Sequence, residues 1–248
     1  MHEIHRCCVF MMLDRIKAKS CLKGNKNVDY KRQVDEMKSF QSSGTFPGIL
    51  EVMEPRLPAS LTIPLRRYLE LLDRWNRTHA LTALPKNQRW EELLLDAAAI
   101  LPFLEPLPPG SRVADLGTGM GCPAVVLALA RPDLEVLAVD AAAKKLAFVR
   151  QAALELPLPN LKVVQGRLED LAPLEADLGT AKALGSLSQL AGWWSRHGKA
   201  GAPLLALKGS EWAGEPLPPG WTATPHPYAL PTRGQRVVVA LKPPVEAP

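Results

Sequence analysis

The sequence predicts an α/β fold: a mostly parallel, twisted sheet with helices on both faces, a helical subdomain before it and an antiparallel hairpin at its end. Three observations carry this. Short apolar runs alternate with helical periodicity from residue 112 onward. A glycine-rich turn, Gly117-Thr118-Gly119-Met120-Gly121, joins the first apolar run to the next helix. The last two apolar runs have only turn residues between them, which suits antiparallel pairing.

The elements follow in order. Over residues 63–76, Leu65, Tyr68, Leu69, Leu72 and Trp75 recur at helical spacing, and Pro64 falls in the tolerated first turn. A second helix is predicted over 87–103, stopped by Pro106-Leu107-Pro108-Pro109-Gly110. Residues 112–116 form a strand, 123–130 a helix, 134–139 a strand ending at Asp140, and 142–154 a helix. Strands are then predicted at 161–164, 176–178 and 202–207, with a helix at 187–194. Residues 221–225 and 236–241 are late strands flanking the turn-rich 227–234. No internal repeat is present.

At 248 residues, 47% hydrophobic and 22% charged, the chain can bury a sizeable core, and a collagen-like, disulfide-miniprotein or mostly disordered chain is excluded. No apolar run approaches the ~20 residues of a membrane helix. The net charge of +5 is uneven: residues 1–40 hold nine Lys/Arg against five Asp/Glu, and the remainder is nearly balanced. All 24 prolines lie after residue 46. These shifts divide the chain into a basic, poorly ordered extension and linker (1–59), the helical subdomain (60–104), the α/β domain (105–243) and a tail (244–248). The apolar run at 7–13 makes a poor signal peptide. Cys7, Cys8, Cys21 and Cys122 lack metal or redox spacing, so neither a metal nor a disulfide is expected, and the expected compartment is the cytoplasm.

The glycine turn carries the most chemistry. Glycines after a first strand let the backbone approach a ligand closely. A dinucleotide-binding turn has a third glycine where this chain has Cys122; here the spacing is G-x-G-x-G, which disfavours an oxidoreductase using NAD. Asp140 ends the second strand, where a carboxylate can accept hydrogen bonds from both hydroxyls of a ribose. The combination resembles the Rossmann-like S-adenosylmethionine-dependent methyltransferases more than NAD enzymes.

A wider ordered set of residues resembles one methyltransferase family. It comprises Trp75-Asn76-Arg77, Leu81-Thr82, Leu95-Asp96, Asp115-Leu116-Gly117-Thr118-Gly119 with Gly121 and Pro123, Arg131-Pro132, Asp140 with Lys144-Lys145 and Phe148, Leu158-Pro159-Asn160, Gly166-Arg167, Ala183 with Ser186-Leu187, and Ala206-Leu207-Lys208-Gly209. Over about residues 62–241 these are similar in order and spacing to the RsmG family (glucose-inhibited division protein B), which methylates N7 of a guanine in small-subunit ribosomal RNA. The resemblance implies a class I methyltransferase fold, S-adenosylmethionine as cofactor, and small-subunit ribosomal RNA or the small ribosomal subunit as partner, with nothing demanding more than a monomer. It also implies cofactor contacts by Asp115, Gly117, Thr118, Gly119, Gly121 and Asp140, with the adenine near Arg167, Leu168 and Glu169. Lys182 stands where the family has a substrate-facing arginine and is the implied catalytic and substrate-binding residue. Lys144, Lys145 and Lys208 are the other implied substrate contacts.

The chain departs from the family at several positions, mostly polar in the family: Ala80, Glu92-Leu93, Ala97, Cys122, Ala124, Ala181-Lys182 and Arg236-Val237. Most of these fall on the substrate side. They support an alternative expectation, a non-catalytic descendant that keeps cofactor or RNA binding.

Overall fold

The structure is a computed structural model that describes residues 52–244. Most of the predicted N-terminal extension and all but Pro244 of the predicted tail lie outside the described residues.

The chain enters through helix α1 (Thr62–His79), which buries Leu65, Tyr68, Leu71 and Leu72 along one face. α1 ends where Ala80 turns left-handed, at φ 46°. Asn76 enforces that stop: its side-chain amide donates to the Thr82 carbonyl (3.0 Å) and accepts from the Thr82 N–H (2.8 Å). The Trp75-Asn76 and Leu81-Thr82 matches therefore have a structural cause. A second helical stretch, α2, runs through Lys86–Arg89, a π-helical Trp90–Leu95 and Asp96–Ala98. The sequence predicts a single helix over 87–103, but a separate turn, α3 (Leu101–Leu104), follows. Pro102 explains the break, because it has no N–H to continue the ladder.

The sheet has seven strands: β1 (Arg112–Leu116), β2 (Glu135–Asp140), β3 (Leu161–Gln165), β4 (Leu178–Lys182), β5 (Leu204–Lys208), β6 (Thr222–Leu230) and β7 (Gly234–Lys242). Their order is β3-β2-β1-β4-β5-β7-β6. β1 to β5 pair in parallel, and β7 is antiparallel to both β5 and β6. Helices α4 (Ala124–Ala130), α5 (Ala143–Glu155) and α6 (Leu187–His197) make the connections after β1, β2 and β4. Ser186 and Gln189 form a reciprocal capping box at the start of α6. One apolar cluster unites Leu65, Tyr68 and Leu94 of the leading helices with Val136, Phe148 and Val238 of the α/β part.

Two strands differ from expectation. β4 lies over Leu178–Lys182 rather than 176–178, and Ala176 makes only an isolated bridge with Gly198. Gly179 disguised this strand. A Cβ there would meet Leu204 at 2.5 Å and the Trp194 ring at 2.7 Å, so close packing of α6 on the sheet requires glycine. β6 extends to Leu230, past Pro225 where the predicted strand stops and through Pro227, which reads as turn; it is an edge strand, where proline is tolerated. That edge is covered in part by Met53, whose N–H donates to the Pro227 carbonyl (3.0 Å) and whose carbonyl accepts from the Ala229 N–H (3.2 Å).

Parallel strands and an antiparallel β7 set a common edge. The C-terminal ends of β1, β2, β4 and β5 lie alongside the N-terminal end of β7, where Lys208 pairs with Val237. In open α/β sheets this carboxyl edge holds ligands.

Candidate functional site

The glycine turn at the end of β1 has three left-handed residues, Gly117 (φ 65°), Gly119 (φ 59°) and Gly121 (φ 91°). The Thr118 N–H donates to the Val139 carbonyl (2.9 Å), and the Gly121 N–H donates back to the Thr118 carbonyl (2.9 Å). The Tyr68 hydroxyl donates to the Met120 carbonyl (2.9 Å), so α1 holds the turn from outside the sheet. The three glycines are not equivalent. A Cβ on Gly117 would strike Leu184 at 2.4 Å, and one on Gly121 would press on Val125 and Val149 at 3.1 and 3.2 Å. A Cβ on Gly119 would meet nothing nearer than the Gly117 carbonyl oxygen at 4.0 Å. Gly117 and Gly121 face packed protein, whereas Gly119 leaves an open cradle.

Asp115 sits under this turn with no exposed surface. Its carboxylate accepts from the Ala124 N–H (3.1 Å) and the Thr180 hydroxyl (2.9 Å). Burial pushes its pKa up to about 6, against the opposing pull of neighbouring donors and of the Lys182 charge. Asp115 thus braces β1, β4 and the start of α4 from within. Cys122, beside it, has its thiol pushed up to about 11 by burial and donates to the Tyr68 hydroxyl (3.6 Å).

Asp140, half-buried at the end of β2, lies against the open cradle. One carboxylate oxygen accepts from the Gly119 N–H (2.9 Å), the other from the Ala142 N–H (2.8 Å). Each oxygen retains a second lone pair for a ligand. The Gly166 N–H donates to the Asp140 carbonyl (3.1 Å), which brings the segment after β3 to the same edge. There Arg167 is exposed and Leu168 buried, with the Leu168 carbonyl 2.8 Å from His197 Nε2. Glu169 accepts from the Trp193 indole (2.8 Å); its own backbone N–H and that indole hold its carboxyl below the usual range. Trp194, the neighbour of Trp193, is buried on the sheet.

The lysines fall into two groups. Lys144 and Lys145 lie in the first turn of α5, the former exposed and the latter half-buried. Lys182 and Lys208, at the ends of β4 and β5, are tied down. Lys182 pairs with Asp96 of α2 (2.7 Å) and donates to the Glu92 carbonyl. Lys208 donates to the Gly185 carbonyl (2.6 Å) and to both oxygens of Glu215 (2.9 Å each), and Glu215 accepts from the Leu187 N–H (2.6 Å). Lys208 thereby fixes the loop between β4 and α6.

Sequence reasoning did not assign a role to Asp96, Tyr228 or Arg236. Asp96 is buried; it accepts from the Tyr228 hydroxyl (2.5 Å) and forms an ion pair with Arg236 (2.8 Å), whose Nε–H donates to the Tyr228 hydroxyl (3.2 Å). Burial and the Asp96 charge push the Tyr228 hydroxyl well above the ordinary tyrosine range. Nearby, Arg233 pairs with Glu92, and the Thr232 hydroxyl donates to Glu91 (2.7 Å). α2 is thus clasped to the hairpin between β6 and β7. Among the described residues no group of three or more His, Cys, Asp or Glu could hold a metal ion, and no helix is long and apolar enough to cross a membrane.

A seven-stranded sheet in this order, with a glycine cradle after β1 and a carboxylate at the end of β2, defines a Rossmann-like methyltransferase fold. A solved structure of TrmN from Thermus thermophilus has the same fold, with a TM-score of 0.50 and 24% identity over 65% of this chain and 55% of that one. The family described as rRNA small subunit methyltransferase G (GidB) matches residues 63–217, and the chain belongs to it. Two relatives named Ribosomal RNA small subunit methyltransferase G illustrate the match. That of Xanthomonas axonopodis pv. citri is 39% identical over 75% of this chain and 89% of its own. That of Neisseria gonorrhoeae is 37% identical over 66% of this chain and 74% of its own.

Proposed function

We propose that this protein transfers a methyl group from S-adenosylmethionine to N7 of a guanine in small-subunit ribosomal RNA. The observation that carries the reading is the open cradle at Gly119 facing the Asp140 carboxylate, in a chain of an rRNA methyltransferase family. That arrangement fits the cofactor. The left-handed turn offers backbone amides to its amino-acid end, Asp140 offers lone pairs to the ribose hydroxyls, and Arg167, Leu168 and Glu169 border the adenine. Family membership and the G-x-G-x-G turn set aside the oxidoreductase reading.

When bound, S-adenosylmethionine supplies an electrophilic sulfonium methyl. Guanine N7 carries a lone pair and no proton, so the chain has no proton to remove, and the task of its residues is alignment. Ideal alignment of two reactants contributes up to ~7–11 kcal/mol. Lys182 is the residue beside the target base, while Lys144 and Lys145 contact the RNA backbone. Lys208 acts from behind by fixing the loop that carries Leu184. One chain holds every group this chemistry needs, so a monomer suffices.

A second reading, a descendant that binds cofactor without transferring methyl, is favoured by the substituted positions Glu92-Leu93 and Ala97 on α2. One experiment separates the two. Purified protein is mixed with unmethylated small subunits and methyl-labelled S-adenosylmethionine, and the digested nucleosides are examined by mass spectrometry. Labelled N7-methylguanosine is expected; cofactor binding by calorimetry without transfer supports the second reading, and neither binding nor transfer defeats both.

A further inference from the structure

The buried carboxylate of Asp96 is the most connected group at the carboxyl edge, yet no step above uses it. Its side chain is only 2% exposed. It receives Lys182 from β4 at 2.7 Å, Arg236 from β7 at 2.8 Å and the Tyr228 hydroxyl from β6 at 2.5 Å. Three strands therefore converge on one residue of α2. An isolated buried carboxylate is expensive, and one held by a hydroxyl and two cations from separate elements is fixed in position.

The consequence falls on Lys182. An ammonium has three N–H donors. The Glu92 carbonyl accepts one, and the Asp96 carboxylate holds the same ammonium in an ion pair at 2.7 Å, both from α2. Donor capacity remains, on a side chain that is 17% exposed at the end of β4. A flexible lysine is thereby held in one direction. A free lysine would lose more rotamer freedom on engaging a ligand than one already held.

We propose that Asp96 is a positioning residue that aims a free N–H of Lys182 at an oxygen of the substrate RNA, with Tyr228 and Arg236 holding Asp96 in turn. The proposal rests on the methyltransferase reading above. It concerns how this chain uses a lysine, which cannot fork across two oxygens as an arginine can and so needs external orientation.

A double-mutant cycle tests it, using the full-length protein, small subunits and S-adenosylmethionine. Lys182→Met and Asp96→Asn are each expected to lower kcat/KM for small subunits by roughly 10- to 100-fold. Cofactor affinity should stay within about twofold of wild type. The double variant should be no worse than the poorer single one, because both changes remove the same directed donor. A merely structural Asp96 would give multiplying losses and weaker cofactor binding, which overturns the proposal. Tyr228→Phe keeps every charge and guards against a misfolded Asp96→Asn. It should lower kcat/KM several-fold in the wild-type background and have no effect beside Lys182→Met; an equal effect in both backgrounds also overturns the proposal. A wild type that methylates no ribosomal RNA overturns the parent reading and this one together, whereas an active wild type with an equally active, folded Asp96→Asn overturns this one alone.

Discussion

Asp115, one residue before the end of β1, and Asp140, at the end of β2, lie on neighbouring strands, and their burial assigns them different tasks. Asp115 holds Ala124 and Thr180 in the interior with its pKa pushed up to about 6, whereas half-buried Asp140 keeps lone pairs toward the cradle. The raised value has a definite sign. Between about pH 4 and pH 6 the folded chain binds more protons at Asp115 than the unfolded chain, so this residue's contribution to stability falls as pH rises through that window. At neutral pH the ionised carboxylate costs about 3 kcal/mol relative to an unperturbed one. Carboxyl-carbon NMR should show Asp115 titrating near pH 6; a midpoint below about 4.5, the ordinary carboxylate range, contradicts this. For Asp140, hydrogen bonds to a charged acceptor are worth about 1.5–3 kcal/mol each. Asp140→Ala should therefore weaken S-adenosylmethionine binding by roughly 100-fold or more in calorimetry, and a loss under about threefold would remove the ribose role.

The glycine turn shows how one element divides stability from binding. Gly117→Ala and Gly119→Ala both force a left-handed alanine, at roughly 1–2 kcal/mol each. Only the first also drives a methyl into Leu184. Thermal melting should fall by several degrees more for Gly117→Ala, while Gly119→Ala, whose methyl occupies the open cradle, should lose more cofactor affinity. Equal melting temperatures with equal affinities contradict the division. The same element was the clearest in the sequence, because turn, strand and following helix are contiguous. Other elements were hidden by residues serving a neighbour. Gly179 reads as a break because Trp194 needs its space, Pro227 reads as turn although β6 continues through it as an edge, and Pro102 cuts a helix whose apolar spacing continues past it.

Across the whole molecule, the glycine turn and the Asp140 carboxylate against it were legible because they lie within consecutive strand–turn–helix units. The polar cluster around Asp96 was not. It joins Asp96 to Tyr228, 132 positions apart, and no local spacing reveals that a buried carboxylate on α2 meets polar side chains from three strands. The resemblance to the family implies a substrate-side place for Lys182, but nothing in the sequence marks its tether to α2. Net charge was equally uninformative about the site. The excess of basic residues falls in the first forty, whereas the described site uses a few lysines and arginines mostly matched by Asp96, Glu92 and Glu215. On the proposed reading, RNA recognition in this domain rests on placed donors and not on a broad positive field.

The most direct measurement is nucleoside-resolved mass spectrometry of small-subunit ribosomal RNA from cells with and without this protein. The account predicts that one guanine carries an N7 methyl group in the parent and lacks it in the deletion strain, and that wild-type protein, but not Asp140→Ala, restores it. An identical modification pattern in both strains would contradict the account.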